Sequence, residues 1–283
     1  MSTSMSPTSL DACPFLRLPL ELRRQIYQYV LPQTCTLDPR FQRGNGEPPE
    51  RSEYSLTLVR QASSVGVWNE VWKKQKTLPK SDREVGNEVV WHLGCTSLLT
   101  TCHQVHDECV DLIYGANVFV IDVTFNTINF RQRWRTASNL TPGRTYAFLD
   151  HFSQRNLLKI KNYVINIDYV DDYTGTIKFN CGGRGLTDGI RNKVQELVDL
   201  LGSVTSLHRV HIHLIDGAIS RMRFPSGRVH RVQDVQNFAT SQTVLEPFKG
   251  LGGVRKARVT GTSVEYAELL ERTMTRTRSA PQT

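Results

Sequence analysis

Apolar residues recur at helical spacing near the start of the chain. Together they form one predicted stripe: Leu18, Leu22, Ile26, Tyr29 and Val30. Pro19 suits the first turn of a helix, and Pro32 would stop it, because proline lacks the N–H that a helix interior needs. The pattern therefore predicts a helix of about twelve residues with one apolar side.

The middle of the chain has further patterns of this kind. Residues 33–53 are polar and rich in turn formers, which predicts a loop. A second apolar helical pattern runs from about residue 96 to 114, and Val118–Val123 is an apolar run typical of a strand. Residues 146–158 show a further helical pattern.

Three segments then repeat one pattern, with apolar residues at their first, fourth and sixth positions. They are Ile160–Ile167, Leu207–Leu214 and Val254–Gly261, and they begin 47 residues apart. Amphipathic stretches, Thr187–Leu201 and Ser263–Met274, follow the first and third segments, and Thr187 and Ser263 are suitable N-caps. Strands alternating with helices indicate a parallel sheet with crossover connections.

The predicted fold is α/β: an N-terminal helical module, then a mostly parallel sheet with crossover helices. The strand pattern is typical of degenerate leucine-rich-repeat-like units. We divide the chain into a disordered leader (1–14), the helical module with its polar loop insertion (15–117), an α/β repeat-like recognition domain (118–275) and a disordered tail (276–283).

If the three repeated strands pair in register, they place polar residues on the face opposite the core. That face would carry Asn162, Val164, Asn166, Arg209, His211, His213, Lys256, Arg258 and Thr260. Its basic part, formed by the second and third strands, is our candidate target-binding surface, because open faces of repeat proteins bind partners. Alternatively, helices or the C-terminal tail cover this face.

The charge distribution supports an acidic partner. Residues 1–150 carry 16 Lys/Arg against 15 Asp/Glu, whereas residues 151–283 carry 19 against 12. The excess in the second half attracts acidic molecules at long range. The six cysteines lack a CxxC pair, which favours free thiols in a reducing compartment, and the start of the chain is not typical of a secretion signal. We therefore expect a cytoplasmic or nuclear protein.

Candidate catalytic and metal-binding groups are few. Cys102, His106 and Cys109 share one helical face and could ligate a metal, but the same pattern is typical of an apolar core. His211 and His213 point the same way on a strand without an evident third ligand. Asp168 and Asp216 end predicted strands without a nucleophile or base beside them. We expect no cofactor, no metal and no enzymatic activity.

Two loops contain groups that could bind phosphate. The Gly-rich segment 181–189 opens a predicted helix but lacks the established phosphate-binding motifs. Segment 221–231 combines several arginines with one aromatic residue, which is compatible with contacts to a phosphate backbone. A basic nucleic-acid-associated protein is therefore the alternative functional hypothesis.

Three blocks of sequence resemble the F-box-like proteins that fungi encode. Leu16–Tyr27 is similar to an opening of the form LPxE(L/I)RxxIY. Ser97–Glu108 and Tyr114–Phe119 resemble a second element, LLxxCRQVxxE followed by YGxNxF, with His103 in place of its arginine. Pro247–Gly261 resembles a late strand of the form PFxxLxxVxxVxVTG.

This resemblance implies a non-enzymatic scaffold that could be a substrate-recognition subunit of a cullin-type ubiquitin ligase. A Skp-type adaptor would bind the N-terminal helix through Leu18, Pro19, Leu22 and Ile26. The second part of the chain would hold an unknown protein target through Arg209, His211, His213, Lys256 and Arg258. Alternatively, the N-terminal helix only packs against the helix predicted over residues 96–114.

Overall fold

A computed structural model of the chain gives its fold. It describes residues 13–36, 54–62, 68–76, 84–135, 143–169, 184–215, 219–223, 229–233 and 239–277. Within this part there are seven α-helices: α1 (Leu20–Val30), α2 (His103–Ala116), α3 (Phe148–His151), α4 (Gln154–Leu157), α5 (Arg184–Ser203), α6 (Ala239–Leu245) and α7 (Val264–Thr275).

The strands of the described part are β1 (Gln33–Thr36), β2 (Tyr54–Ala62), β3 (Trp68–Lys76), β4 (Val89–His92), β5 (Val118–Val123), β6 (Ile128–Gln132), β7 (Trp134–Arg135), β8 (Arg144–Ala147), β9 (Asn162–Asp168), β10 (Arg209–Ile215), β11 (Ile219–Arg223), β12 (Val229–Gln233) and β13 (Lys256–Thr260). Short 3-10 turns precede α1 and α2 and follow α6.

A mixed sheet of six strands organises the molecule, in the order β13-β10-β9-β5-β6-β8. The first four of these strands are parallel, and β6 and β8 extend the sheet in antiparallel pairing. A second mixed sheet contains β1, β4 and β7. Strands β2 and β3 pair antiparallel, as do β11 and β12. The chain is therefore a mixed α/β protein.

The hydrophobic core lies on one face of the six-stranded sheet. Alternate strand residues such as Phe119, Ile165 and Ile212 are buried there, against helix residues such as Leu197 and Leu270. Full burial of one such side chain is worth about 1.5–3 kcal/mol. A separate cluster joins α1 to α2. No described helix is long and apolar enough to cross a membrane.

The three repeated strands, the strand Val118–Val123 and the helix after Ser263 are confirmed. A Gly replaces the last apolar residue of the third repeat for a steric reason. Gly261 has φ +84°, and a Cβ there would lie 2.0 Å from the carbonyl oxygen of Leu214. Only glycine adopts this conformation readily in so little space.

Other predicted elements are wrong in part. Residues 33–36 form β1 and pair with β4, so the predicted loop begins with a strand. The predicted helix over 146–158 is instead the end of β8 followed by α3 and α4, because Tyr146 pairs with Phe130 in the sheet. Thr187 does not cap its helix, since α5 already begins at Arg184.

The region predicted as a helical module also contains strands. Residues 15–117 contain α1 and α2 together with β1 to β4, so this region is not purely helical. Of the predicted leader only Cys13 and Pro14 are described, and of the predicted tail only Arg276 and Thr277. The Arg276 carbonyl accepts a hydrogen bond from the Gly253 N–H at 2.8 Å.

Candidate interaction surfaces

A buried polar cluster holds α1 against α2. Arg23 donates from Nε to Glu108 Oε2 at 3.0 Å and from Nη2 to Oε1 at 2.7 Å, and the Tyr27 hydroxyl donates to Oε2 at 2.9 Å. Nη1 of Arg23 donates to the carbonyls of Leu16 and Leu18. The Arg23 guanidinium lowers the pKa of Glu108 to about 2, because it stabilises the carboxylate.

The apolar side of α1 faces solvent. Leu22 is 46% exposed, Ile26 is 40% exposed and Tyr29 is 91% exposed. These three residues, four and three positions apart, form what we call the apolar stripe. Leu18 lies just before the helix and is half-buried, and Pro19 is exposed at the N-cap. The predicted stripe is thus present on the helix, with Tyr29 largely exposed and Leu22 and Ile26 each less than half exposed.

Helix α1 does pack against α2, through a different side from the apolar stripe. Tyr27 and Leu31 are buried against Val105 and Cys109 of α2. Helix periodicity did not indicate this side, because Arg23 is charged and a charged residue is normally expected at the surface. The partner Glu108 lies 85 residues away, so no local pattern could reveal the ion pair.

The three repeated strands lie side by side in register. Each residue of β9 pairs with the residue 47 positions further on in β10, and each residue of β13 with one 47 positions earlier. The face opposite the core, which we call the polar face, therefore carries three rows: Asn162–Arg209–Lys256, Val164–His211–Arg258 and Asn166–His213–Thr260. Strand β5 adds Val118, Val120 and Asp122 to these rows in turn.

A short segment, Glu84–Glu88, crosses the polar face over β5 and β9, and we call it the strap. The side-chain amide of Asn166 makes two hydrogen bonds to the backbone of the strap. The Val85 N–H donates to Asn166 Oδ1 at 2.9 Å, and Asn166 Nδ2 donates to the Val85 carbonyl at 2.9 Å. Gly86 has φ +89°, and a Cβ there would lie 3.1 Å from the Val164 methyl. The strap therefore needs a glycine at its closest approach to the sheet.

Charged groups also fix the strap. Arg131, on β6, forms an ion pair with Glu84, donates to Asn87 Oδ1, and donates from Nη2 to Asp122 Oδ1 at 3.0 Å. Asn166 Nδ2 donates to the same Asp122 oxygen at 3.0 Å. Strap, β5, β6 and β9 thus share one polar network. We call this part of the polar face, on β5 and β9, the covered half.

The rest of the polar face is more exposed, and we call it the open half. Its residues lie on β10 and β13: Arg209, His211, His213, Lys256, Arg258 and Thr260. Arg209, Lys256 and Arg258 are exposed, and the other three are half-buried. The prediction of one continuous display face is therefore wrong for β9, whose residues are buried. Among the described residues, the strap covers Val164 and Asn166 of β9, and Asn162 contacts the end of helix α2.

Arg209 is oriented by a buried neighbour. Asn162 Nδ2 donates to the carbonyls of Gly115 at 3.0 Å and of Ala116 and Asn117 at 3.4 Å, where α2 ends. Its Oδ1 accepts a hydrogen bond from Arg209 Nε at 3.2 Å. The amide therefore caps α2 and holds one edge of the guanidinium, which leaves the terminal nitrogens directed away from Asn162.

Positively charged side chains cluster near the first residues of β10 and β13. Within the described part of the chain, Arg209, Lys256 and Arg258 form no ion pair with a carboxylate. Lys161 and Arg255 immediately precede β9 and β13 and add two further cations. These two residues are not among the predicted binding residues, although the 47-residue spacing of the repeats places residues 161, 208 and 255 in one further row.

The pKa of His208 is affected by these cations. Burial, together with the nearby charges of Lys161, Arg255 and Arg209, lowers the pKa of His208. Both effects disfavour the protonated form, since a cation is costly to desolvate and is repelled by like charges. Lys161, Arg255 and Arg209 thus place like charges near this imidazole.

Two further histidines share one hydroxyl. His211 Nε2 lies 3.1 Å from Thr260 Oγ1, and His213 Nδ1 lies 2.9 Å from the same atom. Burial, and then the charges of Arg258 and His213, lower the pKa of His211 to about 4, so its imidazole is neutral at neutral pH. Three cationic neighbours disfavour a divalent cation at this place. In the described residues no three His, Cys, Asp or Glu side chains form a metal-binding group.

The remaining candidate groups have ordinary structural positions or lie outside the described residues. Cys109 is buried in the α1–α2 cluster, as the core interpretation predicts. Cys102 is exposed, because the helix starts only at His103. Nδ1 of His106 lies 2.8 Å from the Leu99 carbonyl oxygen. Asp168, the last residue of β9, is buried.

Of the two phosphate-loop candidates, little is described. Residues 181–183 and Asp216 lie outside the described residues, as do the side chains of Arg221 and Arg223. The backbone of 219–223 pairs with that of 229–233, so the segment predicted as a loop is a pair of strands in these ranges. The residue Arg228 between them is also outside the described part.

Comparison with known proteins adds a partial match. A family model described as a domain of unknown function (DUF7730) matches residues 8–138. The matched range includes α1, α2, the strap and β5, and it ends before the three repeated strands. No curated protein and no solved structure matches the chain. The open half thus lies outside the matched range.

Proposed function

We propose that this chain is a non-enzymatic protein-interaction scaffold. In this proposal the apolar stripe of α1 binds one partner, and the open half of the sheet binds a second, acidic partner. The finer form is a substrate-recognition subunit of a cullin-type ubiquitin ligase, with a Skp-type adaptor on the stripe. A cytoplasmic or nuclear location would follow from it.

The observation that carries the proposal is that some residues of the F-box-like blocks are buried in a contact between two helices, whereas others are exposed. One buried contact joins Arg23 and Tyr27 of the first block to Glu108 of the second. A role in folding is therefore sufficient to explain these three residues. Leu22 and Ile26 belong to the same block and are exposed. A partly exposed apolar pair on one side of a helix is a feature that a partner could bind.

The second part of the chain supports the target-binding half of the proposal. The described helices α5 and α7 pack on the core face of the parallel strands, and none of the described helices crosses the open half. Helices on one side and an open strand face on the other resemble leucine-rich-repeat-like architecture. A degenerate relative of that architecture is therefore our proposal for this region.

Capture of a purified Skp-type adaptor by the full chain tests the stripe. We expect Leu22→Asp combined with Ile26→Asp to weaken capture by about tenfold or more, because charge is placed in an apolar contact. The control is Arg24→Asp combined with Gln28→Asp, which places two acidic residues on another exposed side of α1 and lowers the net charge by at least as much as the stripe variant does. This control is expected to bind the adaptor normally.

Thermal unfolding of each variant separates binding from folding. If folded wild-type protein captures no adaptor, or if the stripe variant captures as much as the wild type, the ubiquitin-ligase proposal is wrong. Equal loss in the control variant would also contradict it, since binding would then follow net charge and not the apolar stripe.

The rival function is binding to nucleic acid, and the cations of the open half favour it. That function predicts a steep salt dependence, with log K falling by about 0.9 per phosphate contact for each unit of log salt concentration. Oligonucleotide binding that shows this slope and weakens in Lys256→Gln combined with Arg258→Gln would favour the rival over a protein target.

A further inference from the structure

Four residues of the open half form a small rectangle on neighbouring strands. Arg209 and His211 lie two residues apart on β10, opposite Lys256 and Arg258 on β13. Adjacent strands are about 4.8 Å apart, and alternate residues along a strand are about 6.6 Å apart. Three corners are cationic and the fourth is a neutral imidazole.

We infer that this rectangle binds an extended protein segment with acidic side chains at alternate positions, an acid–x–acid sequence. The inference rests on the proposed function for the acidic partner and specifies its chemistry. Alternate side chains of an extended segment point the same way at about 6.6 Å, which is the spacing of Lys256 and Arg258 along their strand. Arg209 on the next strand would contact one of the two carboxylates from the side.

Carboxylate groups on the partner would pair with the three cations of the rectangle. The three cations of the rectangle have no ion-pair partner among the described residues. Asn162 holds Arg209 by its Nε, which leaves the paired terminal nitrogens suited to a bidentate contact with a carboxylate. Because Asn162 is buried and bound to the end of α2, Arg209 is positioned before a ligand arrives.

Recognition is by side chains, because the edge of the sheet is partly blocked. β13 is an edge strand, and such an edge could in general pair with a strand from a partner. The outward N–H of Val259, however, already donates to Glu271 Oε1 of α7 at 2.7 Å. The acidic segment therefore lies across the polar face and does not extend the sheet.

A protein segment fits this surface better than a nucleic acid. The open half, as far as it is described, presents no Phe, Tyr or Trp on which a base could stack. Its three cations match two or three negative charges, whereas proteins that bind duplex DNA commonly contact about 6–10 phosphates. Nucleic acid is retained as an outcome of the test.

Fluorescence anisotropy with the full chain and labelled synthetic peptides tests this inference. The probe is a peptide of alternating Glu and Ser. Its controls are a peptide of the same composition with all Glu in one block, an alternating Gln–Ser peptide, a peptide with one phosphoserine, and an oligothymidine. We expect the alternating Glu peptide to bind about fivefold more tightly than the blocked peptide of equal charge.

Matched variants locate the site. Lys256→Gln combined with Arg258→Gln is expected to weaken binding of the alternating peptide by about tenfold or more. Arg17→Gln combined with Arg24→Gln removes the same charge at exposed positions near α1 and is expected to change binding by less than about twofold. Lys256→Arg combined with Arg258→Lys keeps both charges and is expected to retain binding.

A spectroscopic readout separates contact from long-range attraction. A carboxylate bound beside His211 would raise the pKa of this imidazole from about 4 towards its usual range. An NMR titration with and without the alternating peptide measures the shift, and a distant, non-specific complex would leave the pKa unchanged.

Several results would overturn the inference. These are equal binding of the alternating and blocked peptides, equal loss in the Arg17/Arg24 variant, or tighter binding of the phosphoserine peptide or the oligothymidine through Lys256 and Arg258. The assay contains no adaptor, so its failure leaves the test of the apolar stripe unaffected. Failure of adaptor capture likewise leaves this inference intact.

Discussion

The two halves of the polar face have the same backbone geometry and opposite surroundings. On β9, Asn166 is 1% exposed because the strap lies over it. On β13, Lys256 and Arg258 stand in the rows of Asn162 and Val164, and they are exposed whereas those two β9 residues are buried. A strand face that is polar in sequence is thus buried at one end of the sheet and exposed at the other.

The difference shows what a repeat can and cannot specify. The 47-residue spacing sets which residues pair, because each strand carries the same apolar positions. It does not set what covers the pairs, since the strap comes from residues 84–88, outside the repeats. Buried polar groups must be hydrogen-bonded, and Asn166 meets this requirement with the strap backbone and with Asp122. The cations of the open half could not be buried in this way without partners.

The largest expected effect comes from breaking the covered half at Asn166. Asn166→Ala would remove three hydrogen bonds. It would leave the Val85 N–H without this acceptor under the strap, whereas the Val85 carbonyl would keep the hydrogen bond from Arg131 Nη2. We expect a loss of about 2–4 kcal/mol in the free energy of unfolding, measured by urea denaturation. Lys256→Ala, at an exposed position of the open half, is the control, with an expected loss of less than about 1 kcal/mol. Similar losses in both would contradict the division into two halves.

A smaller effect is expected at the closest approach of the strap. Gly86→Ala places a methyl group 3.1 Å from Val120 and Val164 at a positive φ, which side chains rarely adopt. We expect a destabilisation of about 1–2 kcal/mol. Faster hydrogen exchange at the Val85 N–H in this variant would show that the strap has loosened. An unchanged rate and unchanged stability would mean that the strap does not depend on this contact.

A pH-dependent difference is expected in the open half. The pKa of His211 is about 4 in the folded state and 6.5 in its ordinary state, so the unfolded chain takes up a proton first as the pH falls. This group therefore lowers stability between about pH 6.5 and pH 4 and has no such effect above that window. The measurement is urea unfolding of wild type and His211→Gln at pH 7 and pH 5. The stability difference should shift in favour of the variant at pH 5, and a constant difference would contradict the assignment.

The smallest expected effect on stability is that of the proposed binding residues. Lys256→Gln combined with Arg258→Gln removes exposed charges that repel one another, so we expect a change of less than about 0.5 kcal/mol in unfolding free energy. Added salt should remove any gain, because it screens the repulsion. A large loss of stability would mean that these side chains serve the fold, and it would weaken their assignment to a partner.

The sequence was informative where a local pattern has one structural solution. The helix at Leu20–Val30 and the strands β5, β9, β10 and β13 follow directly from apolar periodicity. The helix predicted over 146–158 failed, because Tyr146 is recruited by β6 and pairing in a sheet is a non-local interaction.

The residues of the candidate sites were likewise predictable only where a local pattern determines their position. Arg209, Lys256 and Arg258 could be placed on one face because register follows from the repeat. The side on which α1 packs could not be predicted, since an ion pair between Arg23 and Glu108 turns a charged position into a buried one. The strap could not be predicted either, because its anchors lie on three different strands.

The most direct test of the account is an NMR map of where the alternating Glu–Ser peptide binds on the full chain. We expect chemical-shift changes at Arg209, His211, Lys256 and Arg258, with none centred on Val120 or Val164 beneath the strap. Changes that spread over the strap, or that centre on β5 and β9 and spare β13, would contradict the claim that the open half is the binding surface.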